Sequence, residues 1–334
     1  MTIREIAKIA QVSPAAISLV LNNKPGVGNE KREEILQLLE KLNYTPTQKK
    51  KSPPPPSKAL LFLKFVKTGF LVEENAGFIS KILDSIEKEC SALKYSLRIQ
   101  VEIKSLEQAI KNIDYSQIDG IFVIGTEIAP DEYPILKKIE VPYVVIDNSM
   151  PNFPCNSITM ANEEMVHTCV QYLASLGQSS IGYFHSLFQA QNFEEREKGF
   201  RTTLQKLGRT LKEEHLFLLE PTLSGAYGGM KNYLERKNEI PALIFADNDT
   251  LAIGSMKALQ EYGYRIPEDV QIIGFDDIYL SATSSPSLTT IHVQRTMIGH
   301  YAVMMLTDVI NYSHPGSIKT RIGGSLVIRD STHQ

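Results

Sequence analysis

The sequence predicts an α/β protein with a small N-terminal helix-turn-helix head and a body of two doubly wound parallel-sheet subdomains. Three observations carry that reading. The first 46 residues hold three short segments of helical period. A Lys/Pro-rich stretch over 47–58 then breaks the chain. After it, apolar runs of strand length alternate with helical segments.

In the head, Ile3, Ile6, Ala7 and Ala10 share one face of a first helix, and Gln11-Val12 makes a tight turn. Ser13-Pro14 reads as an N-cap followed by proline at the first helical position. The second helix runs from Pro14 to about Leu21 and turns Ile17, Val20 and Leu21 inward; Asn22-Asn23 ends it. A third helix starts near Asn29. Glu30, Glu33 and Glu34 suit its N-terminal dipole, and Ile35, Leu38, Leu39 and Leu42 form its core stripe. Two short helices and a tight turn followed by a third helix make a helix-turn-helix, although the same spacing also fits a plain three-helix bundle.

The break falls at Lys49-Lys50-Lys51-Ser52-Pro53-Pro54-Pro55-Pro56-Ser57. Proline lacks an N–H and clashes with a preceding helical turn, so this stretch reads as an extended, semi-rigid spacer. Beyond it, 59–63, 95–101, 120–124, 143–146, 181–184, 243–245 and 270–275 read as buried strands. Ile79, Ile82, Leu83 and Ile86, and later Leu251, Ile253, Met256 and Leu259, recur with helical period. Near-continuous apolar strands mean sheets covered on both faces. There are too many units for one modest sheet. Two subdomains result, with a cleft where strand carboxyl ends face each other.

Composition excludes several classes. With 334 residues, 43% hydrophobic and 22% charged, the chain is neither disordered nor fibrous. No apolar run approaches the roughly 18 residues of a membrane span, and the start lacks a signal-peptide core, so a cytoplasmic location is expected. Cys90, Cys155 and Cys169 make no metal spacing and no disulfide framework; they read as reduced core thiols. Net charge is −3, unevenly spread. Residues 1–57 hold nine Lys/Arg against five acids, and the body carries the acidic remainder. A basic head points to an anionic polymer. Neither a G-x-S-x-G, a Walker A, an H-E-x-x-H nor a G-x-G-x-x-G motif is present, so no enzyme and no cofactor is expected. Asp247 and Asp249 lack a visible third metal ligand. His185 reads as a satisfied structural histidine or a border of the cleft.

Several stretches resemble the LacI/GalR family of bacterial transcription regulators. Thr2-Ile3-Arg4-Glu5-Ile6-Ala7, continuing to Val12-Ser13-Pro14-Ala15-Ala16-Ile17-Ser18-Leu19-Val20-Leu21-Asn22, is similar to the family head, and Leu42-Asn43-Tyr44-Thr45-Pro46 to its end. Further along, Ser179-Ser180-Ile181-Gly182-Tyr183, Arg196-Glu197-Lys198-Gly199-Phe200, Phe245-Ala246-Asp247-Asn248-Asp249, Ile273-Gly274-Phe275-Asp276-Asp277 and Pro286-Ser287-Leu288-Thr289-Thr290-Ile291 follow in family order. The resemblance implies a homodimeric regulator, most simply a repressor, with a body like a type I periplasmic binding protein. It divides the chain into a head (1–46), a linker (47–58) and an effector-binding and dimerisation region (59–334). The N-subdomain would take about 59–160 and 291–320, and the C-subdomain about 161–290 and 321–330. Crossovers are then expected near 160, 290 and 320.

The same resemblance places Pro14, Ala15 and Leu19 at base contacts in the major groove of double-stranded operator DNA, with Ser18 beside them. All but Ser18 are apolar, so Leu19 offers thymine-methyl contact rather than arginine-to-guanine readout. Ser13, Asn22, Tyr44 and Lys49, Lys50 and Lys51 would meet phosphates. The family's hinge helix carries a leucine wedge. Thr47 to Ser52 has no leucine and is a poor helix, so weak DNA bending and weak ligand coupling are expected.

For the cleft the resemblance nominates Asp147, Arg196, Asn248 and Asp276, with Asn192, Phe78 and Leu223 as further wall. Carboxylates accept from hydroxyls or ring N–H groups, and Arg196 supplies a rigid fork of donors. Such a set fits a sugar, a sugar phosphate or a nucleobase-like effector. Plainer roles stand beside these: an ion-paired Arg196, Asn248 or Asp249 as helix caps, Asp276 and Asp147-Asn148 in turns, and Phe78 and Leu223 in the core. Two other readings remain, an eroded regulator that needs a partner and a sugar-binding protein with no regulatory role.

Overall fold

The computed structural model describes residues 3–21, 26–42, 59–69, 77–103, 105–177, 180–236, 239–312 and 316–333. It divides into two compact units, Met1–Ser57 and Lys58–Gln334. The linker, Asn22, Tyr44 and Lys49 to Lys51 lie outside the described residues.

The head is built from α1 (Ile3–Ile9), α2 (Pro14–Leu21) and α3 (Asn29–Lys41). Ser13 Oγ accepts from Ala16 N at 3.2 Å, so the expected N-cap is in place ahead of Pro14. Ile6, Ala7, Ile17, Val20, Ile35 and Leu39 are buried together as its core. Leu38 and Leu42 only pack against that core from the side.

The body begins with β1 (Ala59–Val66), α4 (Phe78–Ala92), β2 (Ser96–Ile103), α5 (Leu106–Lys111), β3 (Gly120–Ile124), β4 (Tyr143–Ile146) and β5 (Asn156–Met160). It continues through α6 (Asn162–Ser175), β6 (Ile181–Ser186), α7 (Gln191–Lys206), β7 (Leu216–Leu219), α8 (Leu223–Glu235), β8 (Leu243–Ala246), α9 (Asp249–Glu261), β9 (Gln271–Ile273) and α10 (Tyr279–Thr283). It closes with β10 (Thr290–Val293), α11 (Arg295–Asn311), β11 (Lys319–Ile322) and β12 (Gly324–Val327).

One sheet has the order β11-β5-β4-β3-β1-β2 and the other β7-β6-β8-β9. Every pairing within them is parallel. The two sheets define two lobes. The chain passes between them after β5, after β10, and between β11 and β12. The second and third passages fall a few residues past 290 and 320. β10 pairs antiparallel with β12, and His292 bridges to Asp276, so both strands stay with the second lobe.

Each sheet is covered on both faces. α5 and the 3-10 helix at Pro130–Lys138 back the first sheet, and α8 and α9 back the second. A third cluster is continuous between the lobes. It joins Phe62, Ile82 and Phe122 through Met160, Met165 and Cys169 to Tyr183, Phe200 and Phe245. Burying one such side chain contributes about 1.5–3 kcal/mol, so this shared core holds the lobes side by side around their crossovers.

One strand departs from expectation. β2, read as buried, is the sheet edge, and Ile99, Val101 and Ile103 are more than half exposed. The three cysteines are buried and free, with burial raising their thiols above the ordinary range. Among the described residues no helix is long and apolar enough to cross a membrane.

Candidate functional site

The cleft between the lobes is lined by loops that leave strand carboxyl ends, as open parallel sheets require. Asp147 follows β4, Thr126 follows β3, and Asn248 and Asp276 follow β8 and β9. Asn192 and Arg196 come from the first turns of α7, on one helix face. These six, with Phe78, Met160, Ala190 and Phe193, line a single cavity of about 20 Å³. That volume holds about one water.

The wall residues bond to each other. Asn192 Nδ2 donates to the Asp147 carbonyl at 3.0 Å and to its Oδ1 at 2.9 Å. Asn192 Oδ1 accepts from Thr159 Oγ1 at 3.2 Å and Asn162 Nδ2 at 3.0 Å. Thr126 donates to the other Asp147 oxygen. Beside them, Ser149 donates to Glu195. α7 therefore latches the second lobe to the first.

Arg196 is 2% exposed and heavily engaged. Its Nε donates to Asn162 Oδ1 at 2.9 Å, one terminal nitrogen to the Asp247 carbonyl, and the other to Met160 Sδ at 3.0 Å and Asp276 Oδ1 at 3.4 Å. Its plane lies 3.7 Å over the Phe275 ring. This guanidinium is a buried organiser with little of its fork left to clamp an anion.

Burial pushes the Asp147 carboxyl up to about 7, aided by Asp276 and opposed by Thr126, Arg196 and Asn192. Asp147 (φ 67°) and Asp276 (φ 114°) both have left-handed backbone, which aspartate tolerates better than most residues. Strain of this kind collects at functional sites.

Asn248 does two jobs. It lines the cavity, and its Oδ1 accepts from Leu251 N at 2.9 Å as the N-cap of α9. Asp249 is structural. Its carboxylate accepts from Ile278 N, Ser281 and Thr290, and burial pushes it up to about 7. Gly274 is required there, because a Cβ would lie 2.2 Å from Asp249 Oδ1.

Leu223 corrects an expectation. It opens α8, is 40% exposed, and does not line the cavity. Close packing of α8 on α9 fixes it there; a Cβ on Gly254 would lie 2.6 Å from its carbonyl. Phe78 is both core and wall. Thr126 escaped the sequence reading, although its place just past a strand is the signal that marked Asp147. His185 lies within β6 and does not line the cavity. Burial lowers its basicity, but Asp247 at 2.7 Å and Glu197 raise it further, so its value ends above the ordinary range. Asp247 also accepts from Tyr183 and from Ser186 N. Among the described residues no group of three metal-ligating side chains occurs.

On the head, Ser13, Pro14, Ala15 and Ser18 are exposed along one side of α2. Leu19 is half-buried, and a Cβ on Gly26 would lie 3.1 Å from its Cδ1. It leans toward the turn into α3 and presents only part of its side chain outward.

Residues 2–47 match the model for bacterial regulatory proteins of the lacI family, and residues 170–332 match that for the periplasmic binding protein-like domain. The HTH-type transcriptional repressor PurR of Mannheimia succiniciproducens is 27% identical over 99% of this chain and 98% of its own length. PurR of Pasteurella multocida is 28% identical with the same coverage. Among solved structures, a transcriptional regulator CelR–cellobiose complex aligns with TM-score 0.73 at 19% identity, over 99% of both chains. A lac repressor dimer bound to operator and the anti-inducer ONPF gives TM-score 0.73 at 22% identity, again over 99% of both. These structures share the fold, and the curated relatives are regulators rather than enzymes. The chain thus joins a head that matches the lacI family of bacterial regulatory proteins to a periplasmic binding protein-like body, and along its whole length it is similar to curated transcriptional repressors.

Proposed function

We propose that this DNA-binding repressor is controlled by a neutral, donor-rich small molecule of nucleobase or sugar class in the interlobe cleft. The carrying observation is the polarity of the wall. Two carboxylates, Asp147 and Asp276, and the amide of Asn248 face one cavity beside Phe78, while Arg196 is already engaged. Such a wall accepts hydrogen bonds and disfavours a phosphate. The relatives named PurR lean toward a nucleobase-like ligand, and the CelR–cellobiose complex keeps the sugar class in view.

A cavity that binds one aromatic ring measures roughly 150 Å³, so a space of about 20 Å³ must widen to admit an effector. Opening breaks the Asn192–Asp147 latch, and that ties occupancy to lobe geometry. By linkage, effector and operator affinities change each other by the same factor. A second copy would lie against the apolar edge of β2, where Ile99, Val101 and Ile103 are exposed. The dimer would then present two α2 helices, with Pro14, Ala15, Ser18 and Leu19 toward bases and Ser13 toward phosphate.

Two measurements test this. Binding sites are selected from random duplex DNA at two salt concentrations with the full-length protein. A recovered palindrome supports a dimeric reader; binding without a motif that vanishes as salt rises supports the eroded alternative. Thermal shifts are then recorded with hypoxanthine, guanine, cellobiose, inosine monophosphate and glucose 6-phosphate. Stabilisation by a neutral compound is expected, and stabilisation only by the phosphorylated ones would overturn the reading.

A further inference from the structure

We propose that Asp277 is a positioning residue that ties the pocket wall to the hinge, so that movement at Asp276 is carried into the crossover strands. The proposal rests on reading the cleft as the effector site, but its geometry is separate from the cavity.

Asp277 follows Asp276, which lines the cavity. Its backbone is also left-handed (φ 52°), so successive side chains diverge, one into the pocket and one behind it. The rear carboxylate reaches β10 and the segment that leaves β12. Oδ2 lies 2.7 Å from His292 Nδ1 on β10, and Oδ1 accepts from Arg329 beyond β12 at 2.7 Å. Those strands pair with each other and flank two of the three passages between lobes. The Asp277 carbonyl accepts from Arg295 at 2.8 Å. Arg295 opens α11, which belongs to the other lobe, and its guanidinium lies 5.8 Å from the Phe78 ring at the cavity wall. Backbone bonds complete the fastening, because Asp276 N donates to the Ile291 carbonyl at 3.1 Å.

One residue thus gathers contacts from the pocket loop, from β10, from the segment just past β12 and from the first turn of the opposite lobe. Burial raises the Asp277 carboxyl, but the Arg329 and His292 side chains outweigh it and hold the group below its ordinary value, which keeps it an acceptor. Hinge closure turns on a few residues at element ends, and a charge fastened to β10 and to the segment just past β12 fixes where that rotation is centred.

The test follows lobe geometry without any ligand. Spin labels are placed on Lys111→Cys and Glu235→Cys, one on the exposed surface of each lobe, in full-length protein diluted with unlabelled chains. Asp277→Asn keeps the shape and removes the charge. Its interlobe distance distribution is expected to broaden and lengthen. Arg295→Ala, which removes the side-chain bond from the other lobe to the Asp277 carbonyl, is expected to do the same, and the double variant should add little. Asp269→Asn breaks an ion pair confined to the second lobe and should leave the distances unchanged. Unchanged distances in both hinge variants overturn the proposal. So does equal lengthening in Asp269→Asn, or failure of both hinge variants to fold, because either would make Asp277 a general stability residue. An effector panel that finds no ligand would defeat the cleft reading and leave these distances to stand on their own.

Discussion

The outer face of α2 and the wall of the interlobe cleft are built in opposite ways. Pro14, Ala15 and Ser18 stand exposed on a helix whose core lies on the other side. In the cleft, Asp147, Asn192, Arg196, Asn248 and Asp276 are each at most 5% exposed, and all but Asn248 hydrogen-bond to other wall residues. A surface that meets a large polymer can keep its chemistry apart from its stability. A surface that must close around a small molecule cannot, because every buried polar group needs a partner in each state. Substitutions should therefore separate function from stability in the head and join them in the cleft.

The largest effect is expected at Arg196. Arg196→Ala removes a buried guanidinium from the Asp276 carboxylate, the Asp247 carbonyl and Asn162 Oδ1. Breaking a buried charged network from one side destabilises by about 3–5 kcal/mol. For a body of this size that is a fall of roughly 10 °C in Tm. A Tm within a degree or two of the parent would mean that the wall is looser than its bonds imply.

Next comes the pH dependence of the body. The folded protein keeps protons on Asp147 and Asp249 up to about 7, whereas the unfolded chain releases them near the ordinary 3.8. The folded state binds more protons in that window, so stability falls as pH climbs from about 4 to about 7 and levels off above it. Asp147→Asn should flatten part of that slope while Asp249 retains the rest. Melting curves across the window check this, and identical slopes would remove Asp147 from the account. A neutral ligand that donates to Asp147 should also bind more tightly at pH 8 than at pH 6.

The sequence carried most of the fold and an uneven share of the site. Most strands with near-continuous apolar runs were legible because both faces of each sheet are covered, although the short apolar edge strand β7 (Leu-Phe-Leu-Leu) was not read. β5 (Asn-Ser-Ile-Thr-Met) and β11 (Lys-Thr-Arg-Ile) were not, since polar residues interrupt them near the crossovers. β2 was legible as a strand but not as an edge, because edge position depends on sheet order. Asp147, Asn248 and Asp276 were legible through the family resemblance, which their places after strands support for Asp147 and Asp276. Nothing local said that Arg196 would be occupied by its own protein, that Asn192 would join the lobes, or that Leu223 would turn outward; those outcomes depend on how α7 and α8 dock.

Asn248 offers a finer cut. It lines the cavity and caps α9, so Asn248→Ala should cost about 1 kcal/mol through the lost cap. Asn248→Ser keeps a capping oxygen and shortens the reach into the cavity. Near-parental melting with a lost thermal shift toward whichever neutral compound stabilises the parent would separate the two roles. Equal losses in both variants would merge them.

The smallest expected effect on stability, and the sharpest test of the contrast, is at Ala15. It is exposed on α2 and sits outside the buried core of the head. Ala15 stands exposed in the first turn of α2, where a cation opposes the helix dipole at a cost that salt screens, so Ala15→Arg should change stability by no more than about 0.5 kcal/mol at physiological salt. It would add a forked donor where the parent has a methyl group. One bidentate contact to guanine discriminates by about 1–3 kcal/mol. Binding-site selection with this variant should therefore recover a motif with guanine enriched at one position of each half-site. An unchanged melt with an unchanged motif would place Ala15 away from the bases. A changed melt would show that the exposed face of α2 is tied to its core after all, and the separation between head and cleft would fail at its simplest point.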